Sequence, residues 1–190
     1  MIARVRTTSS RSIYTNPWMT LREDTFSRPD GVEGIYGVVD KPDYALVIAR
    51  DGDAMMMVEQ YRYPLGMRRW EFPQGTAPDR ASMPAAELAA RELREETGLT
   101  AASWEYLGLL DVAPGLSSQR GRVFLARDLT QGEPEREATE ADMRSAWVTR
   151  EGFEAMVRAG EVTDAQSIAA YAMLDLARSG DAAAPRHAGP

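Results

Sequence analysis

The sequence predicts an α/β fold, a mixed β-sheet with helices on its faces, preceded by a small N-terminal antiparallel sheet. Strand-like segments recur along the chain, and three segments carry helical periodicity. The two kinds follow one another without a regular strand-helix-strand rhythm, which favours a mixed sheet over a parallel one. At 190 residues and 44% hydrophobic content, the chain suffices for one globular domain of ordinary size with a small appendage.

Residues 1 to about 40 alternate polar and apolar side chains and break at Asn16-Pro17, Pro29-Asp30-Gly31 and Lys41-Pro42, which suits short antiparallel strands and turns. Residues 1–42 are therefore assigned to an N-terminal strand element. YALVIAR (44–50), the turn DGD and AMMMVEQYRY (54–63) read as strand, hairpin turn and strand. WEFPQG (70–75) is a short strand running into a loop. The clearest helix runs from Pro84, suited to a first turn, to Thr97, with Gly98 suited to the position just past the end. WEYLGLLDVAP (104–114) and RVFLARDL (122–129) are strand-like, and GEPEREATEAD (132–142) is an acidic loop. SAWVT (145–149) is a short strand, followed by helices over EGFEAMVRAG (151–160) and DAQSIAAYAMLDLAR (164–178). The main domain is thus expected over residues 43–178, and residues 179–190 are expected to form a disordered tail.

Composition removes several kinds of chemistry. Zero cysteines exclude disulfides, thiolate zinc sites and cysteine nucleophiles, and the single histidine, His187, falls in the expected tail. A formal net charge of −7 argues against nucleic acid as the main partner, because phosphate backbones are bound chiefly by excess Lys and Arg. No run approaches the roughly 18 apolar residues of a membrane span, and MIARVRTTSSRSIY lacks the apolar core of a secretory signal. The expected location is the cytoplasm, with no membrane partner. An anionic ligand would then need a local remedy, arginines or a divalent cation.

RELREETGL (91–99) crowds Glu92, Glu95 and Glu96 onto one helix. At 100° per residue with Glu92 at zero, Ala86, Ala89, Ala90, Leu93 and Thr97 fall within about 60° to 160°, a small-residue face suited to close packing on a sheet. Glu96 then sits near 40° and Glu95 near 300°, so the carboxylates cluster at the edge of the expected buried face. Like charges at i and i+4 cost an isolated helix roughly 0.2 to 0.5 kcal/mol, and a cation between them reverses the sign. Hard divalent ions such as magnesium take oxygen ligands and share phosphate oxygens of a substrate. The ordinary alternative is a solvated face with Glu87–Arg91 and Arg91–Glu95 surface pairs.

The surrounding sequence resembles the signature of the Nudix hydrolases: Gly, five residues, Glu, seven residues, then Arg-Glu-aliphatic-any-Glu-Glu-any-Gly-aliphatic. The second half is complete as Arg91 through Leu99. In the first half, Met83 stands where the family has its glutamate and Ala77 where it has its glycine. The nearest glycine, Gly75, lies two residues upstream, which a two-residue insertion in TAPDRASM reconciles; Asp79 is the only acid between it and the helix. EQYRYPLG and WEFPQG before the box, APGLSSQRGRVFLA (113–126) after it and GEVTDAQSIAAYAML near the end are similar to segments of the ADP-ribose pyrophosphatase branch. The resemblance runs from about Tyr14 to Leu176.

What the resemblance implies is a Nudix-type α/β/α sandwich and metal-dependent hydrolysis of a nucleoside diphosphate linked to another moiety, ADP-ribose or a related nucleotide sugar. Products would be a nucleoside monophosphate and a phosphorylated sugar. Glu92 and Glu96 would be the principal Mg2+ ligands, with Mn2+ a substitute, Glu95 a further or water-mediated ligand, and the carbonyl of Gln74 a ligand from the loop beside Gly75. Arg91 would orient Glu92, and Glu87 would take over the support that the missing glutamate gives Arg91. Arg62, in QYR, matches a phosphate-contacting arginine; its alternative is a structural salt bridge on a strand. The catalytic base would come from the acidic loop, with Glu140 favoured and Glu137 and Asp142 the other candidates. Trp18 would stack on the base in a homodimer that shares its N-terminal sheets, the alternative being a buried or interface tryptophan. Other readings of the same family are a nucleotide-sensing module without hydrolysis and an enzyme for dinucleoside polyphosphates.

Overall fold

The structure, a computed structural model, describes residues 4–136 and 140–183. Three strands come first, β1 (Arg6–Thr15), β2 (Thr20–Ser27) and β3 (Glu33–Asp40), paired antiparallel in chain order as a separate sheet. The break at Asn16-Pro17 becomes the β1–β2 turn, where Asn16 Oδ1 accepts from the backbone N–H groups of Trp18 and Met19. All ten residues of β1 are exposed.

The main sheet is built from β4 (Tyr44–Asp51), β5 (Ala54–Arg62), β6 (Met67–Glu71), β7 (Gln74–Thr76), β8 (Leu99–Asp111), β9 (Arg120–Gln131) and β10 (Arg144–Thr149). Its spine runs β10-β5-β4-β9-β8, with β6 beside β5 and β7 beside β4. Only β4–β9 is parallel, so the sheet is mixed.

Six consecutive residues of β4, Tyr44 to Ala49, are buried, because both faces of this central strand are covered. Tyr44, Leu46 and Ile48 point to one core with Met57, Phe72, Leu125 and Phe153, on the side of α2 (Arg150–Ala159) and α3 (Ala165–Ala183). Ala45, Val47 and Ala49 point to the other, with Leu88, Ala89 and Leu93 of α1 (Ala85–Thr97) and Phe124. Period two along the strands thus yields an α/β/α sandwich.

The expected elements are present, except that WEFPQG, expected as one short strand running into a loop, is divided between β6, which begins at Met67, and β7, and two elements extend further than expected. β8 begins at Leu99, immediately after α1, five residues before the expected strand. α3 continues to Ala183, into the stretch expected to be tail; His187 lies outside the described residues. Among the described residues, no helix is long and apolar enough to cross a membrane.

Candidate active site

α1 starts just after Pro84, an N-cap residue that supplies no side-chain cap, and stops at Gly98, whose φ of 76° is left-handed. A side chain there would also collide with Glu133 and Gly132, because the acidic loop crosses directly over it, with Gly132 N–H donating to Gly98 O at 2.9 Å. The buried face of the helix comprises Leu88, Ala89, Glu92, Leu93, Glu96 and Thr97. This corrects the expected face: Ala86 and Ala90 are exposed, and Glu92 and Glu96 lie within the buried stripe rather than at its edge. The reason is that α1 packs on β4 and also on the short strand β7, which covers the carboxylate side.

Two acidic side chains are therefore taken out of water. Glu92, 8% exposed, sits on the backbone of Gly75, where an added Cβ would stand 2.7 Å from Oε1 and closer still to Oε2. Glu96 is 1% exposed; its Oε2 accepts from Gln74 N–H at 3.3 Å, and its Oε1 has no hydrogen-bond partner among the described residues. Burial first, then the neighbouring charges of Glu92, Glu140 and Glu71, push the Glu96 carboxyl well above its ordinary value, with Arg62 opposing. An orphaned buried oxygen among carboxylates is costly unless a cation faces it. The all-oxygen donor set and the glycine cradle fit a hard divalent ion.

Glu71, at the end of β6 and 2% exposed, is held by three donors: Arg62 Nη2 at 2.5 Å, Arg62 Nε at 3.2 Å and Gln60 Nε2 at 2.5 Å. Burial still raises its carboxyl, against the pull of Arg62. The salt bridge weighed as the alternative for Arg62 is thus present. It occupies Nε and Nη2, and no hydrogen bond engages Nη1 among the described residues.

A further carboxylate, Asp164, comes from the residue just before α3. Asp164 Oδ2 accepts from Ser167 N at 2.8 Å, Ser167 Oγ at 2.7 Å and Gln74 Nε2 at 3.2 Å. On the other side, the acidic loop is tied to α1: Arg136 Nε donates to Glu96 O at 3.0 Å and Nη1 to Met143 O at 2.6 Å. Glu140 lies in this loop close enough to raise Glu96. Glu137 falls outside the described residues. Asp142 is turned to Arg68, at 2.5 Å, and is largely exposed.

Glu92, Glu96, Glu140, Gln74, Gly75 and Arg62 are therefore brought together; Glu95 is paired with Arg91 on the same helix, and Trp18, Glu87 and Asp142 point elsewhere. Arg91 Nε donates to Glu95 Oε1 at 2.8 Å, while Glu87 is exposed one turn earlier. Trp18 is 71% exposed on the separate N-terminal sheet. Met83 and Ala77, at the positions of the missing box residues, pack against the α1-side core instead. Among the described residues, no three acidic side chains already stand in closed ligating geometry.

The sequence reading missed Glu71, Asp164 and Arg136. Glu71 was detectable as an acid between Trp70 and Phe72 in a short apolar strand, and Asp164 as a helix cap three residues before Ser167. Arg136 carried no signal, since its partners are backbone carbonyls.

A family profile described as "NUDIX domain" matches residues 40–171, and another described as "Nucleoside diphosphate sugar hydrolase N-terminal domain" matches residues 5–39. An ADP-ribose pyrophosphatase of Mycobacterium tuberculosis is 39% identical over 86% of this chain and 79% of its own length. An ADP-ribose pyrophosphatase of Bacillus subtilis is 30% identical over 90% of this chain and 92% of its own. A crystal structure of an ADP compounds hydrolase shares the fold, with a TM-score of 0.82 over 94% of this chain and 96% of that one at 16% identity.

Proposed function

Because the chain belongs to the Nudix hydrolase family, we propose that it cleaves the pyrophosphate bond of ADP-ribose or a related nucleotide sugar, releasing a nucleoside monophosphate and a sugar phosphate. The observation that carries this is the buried pair Glu92 and Glu96, one seated on Gly75 and the other with an unpartnered oxygen. Similarity to two ADP-ribose pyrophosphatases supports the substrate class.

Nudix hydrolases are generally dependent on a divalent metal. We assign Mg2+, with Mn2+ as substitute, to Glu92 and Glu96, with Glu95 and the carbonyl of Gln74 as further ligands. When bound, the ion neutralises phosphate charge and lowers the pKa of a coordinated water. Glu140 takes the proton of the attacking water, since the carboxylates of α1 are committed to the ion. Water oxygen bonds to one phosphorus as the bridging P–O bond breaks, and the departing phosphate carries away the electron pair. Arg62 offers its unoccupied Nη1 to a phosphate oxygen while Glu71 fixes the plane of the guanidinium. Arg91 orients Glu92, and its Nε also holds Glu95 on the same helix.

The N-terminal sheet is assigned to a homodimer, because Ile13, Tyr14 and Ile35 on its strands and Trp18 in its β1–β2 turn are exposed. Trp18 would then serve the nucleobase. The test is a hydrolysis screen over nucleotide sugars, ADP-ribose, dinucleoside polyphosphates and nucleoside triphosphates with Mg2+ or Mn2+. ADP-ribose or another nucleotide sugar should be turned over fastest. Preference for a triphosphate or a dinucleoside polyphosphate would overturn the assignment.

A further inference from the structure

We propose that Asp164 is a positioning residue: from the N-terminus of α3 it holds the chain at Gln74 against Glu96, and so sets how well the α1 carboxylates bind their cation. The inference rests on the metal-hydrolase reading of the site.

Both ends of the segment Phe72–Gln74 hang from the first turn of α3. At one end Phe72 N–H donates to Ser167 Oγ at 2.9 Å, and that hydroxyl donates in turn to Asp164 Oδ2. At the other end Gln74 Nε2 donates to the same Asp164 oxygen at 3.2 Å. Between them Pro73 O accepts from Val47 N–H at 2.9 Å, so the segment is also stitched to β4. Gln74 N–H is then delivered to Glu96 Oε2, and Gly75 lies under Glu92.

One oxygen accepting three donors calls for a carboxylate, whose charge roughly doubles the strength of each bond. Ser167, which links Phe72 N–H to Asp164, is wholly buried, so this side of the arrangement is shielded from water. Asp164 has two separable jobs. As the helix cap it satisfies Ser167 N–H, which a serine does about as well. As the clasp it reaches Gln74, which a serine side chain is too short to do.

The test is a double-mutant cycle on the full chain with Asp164→Ser and Gln74→Ala, read by Mn2+ calorimetry, by kcat and KM on ADP-ribose, and by thermal unfolding. Asp164→Ser should weaken Mn2+ binding and lower kcat by about tenfold, the lower end of what partners of metal ligands contribute. KM should stay within about twofold, with Tm nearly unchanged because the cap persists. Asp164→Asn, which keeps the reach to Gln74 without the charge, should recover only part of the loss, and adding Gln74→Ala to Asp164→Ser should cost nothing further, since both remove one contact. Fully additive effects, or Mn2+ affinity in Asp164→Ser within about twofold of the native chain, would overturn the proposal. Native protein that binds Mn2+ but cleaves no nucleotide sugar refutes the proposed substrate alone, and the Mn2+ cycle still decides Asp164. Native protein that binds no Mn2+ refutes both.

Discussion

The carboxylate of Glu92 rests on the α-carbon of Gly75, in the space a side chain at position 75 would fill. This contact joins α1 to β7, and it makes the glycine a requirement of the site rather than of a turn, since Gly75 has no positive φ. Gly75→Ala should fold, because the group displaced is the far end of a flexible side chain. Its turnover should fall at least tenfold, as roughly 1 Å displacements of catalytic groups can cost about a hundredfold. Circular dichroism and steady-state rates check this; native-like turnover in a folded variant contradicts it.

Glu96 supplies a pH signature. Its carboxyl, raised well above 4.5 chiefly by burial and then by Glu92, binds a proton more tightly in the folded chain than in the unfolded one. Stability of the metal-free protein should therefore be full below the unfolded value and be lost as pH rises through the folded value. In EDTA, Tm should fall as pH rises above the ordinary glutamate range, Glu96→Gln should flatten that fall, and Mg2+ should restore the lost Tm. Equal slopes for the two proteins would remove Glu96 as the cause.

Glu140 is assigned the proton transfer. Glu140→Gln should lower kcat by about a hundredfold with little change in Mn2+ affinity, in the usual range for a general base. A loss under about threefold rejects the assignment and passes the role to Glu137.

The pair Arg62–Glu71 predicts a stability effect separate from catalysis. Arg62→Ala leaves a carboxylate 2% exposed without its cation, against an arginine side chain that is 38% exposed. Loss of one partner of a buried pair costs about 3 kcal/mol or more, and the partial exposure of Arg62 points to the low end. Urea unfolding measures it; if Nη1 also meets a phosphate, KM for ADP-ribose rises in the same variant, and in Arg62→Lys as well.

Much of this site was legible because it is written in local patterns. Glycine at a helix end, period two in the strands and three glutamates on one helix each imply their structure within a few residues. The helix face was misjudged because 100° geometry locates neighbours but not the packing partner: β7 covers the side of Glu92 and Glu96, and nothing in RELREETGL says so. Glu71, Asp164 and Arg136 were missed for a related reason. Their meaning lies in contacts 9, 90 and 40 residues away, to Arg62, Gln74 and the Glu96 carbonyl. The absent box glutamate was read correctly as absent. The structure adds that Met83 there lies partly buried against the α1-side core, where a carboxylate would be unwelcome.

The central claim is that Glu92 and Glu96 hold a divalent ion that drives pyrophosphate cleavage. Release of AMP from ADP-ribose should be strictly dependent on Mg2+ or Mn2+ in the native chain and abolished in folded Glu96→Gln. Metal-independent release, or native-like release by Glu96→Gln, would contradict it.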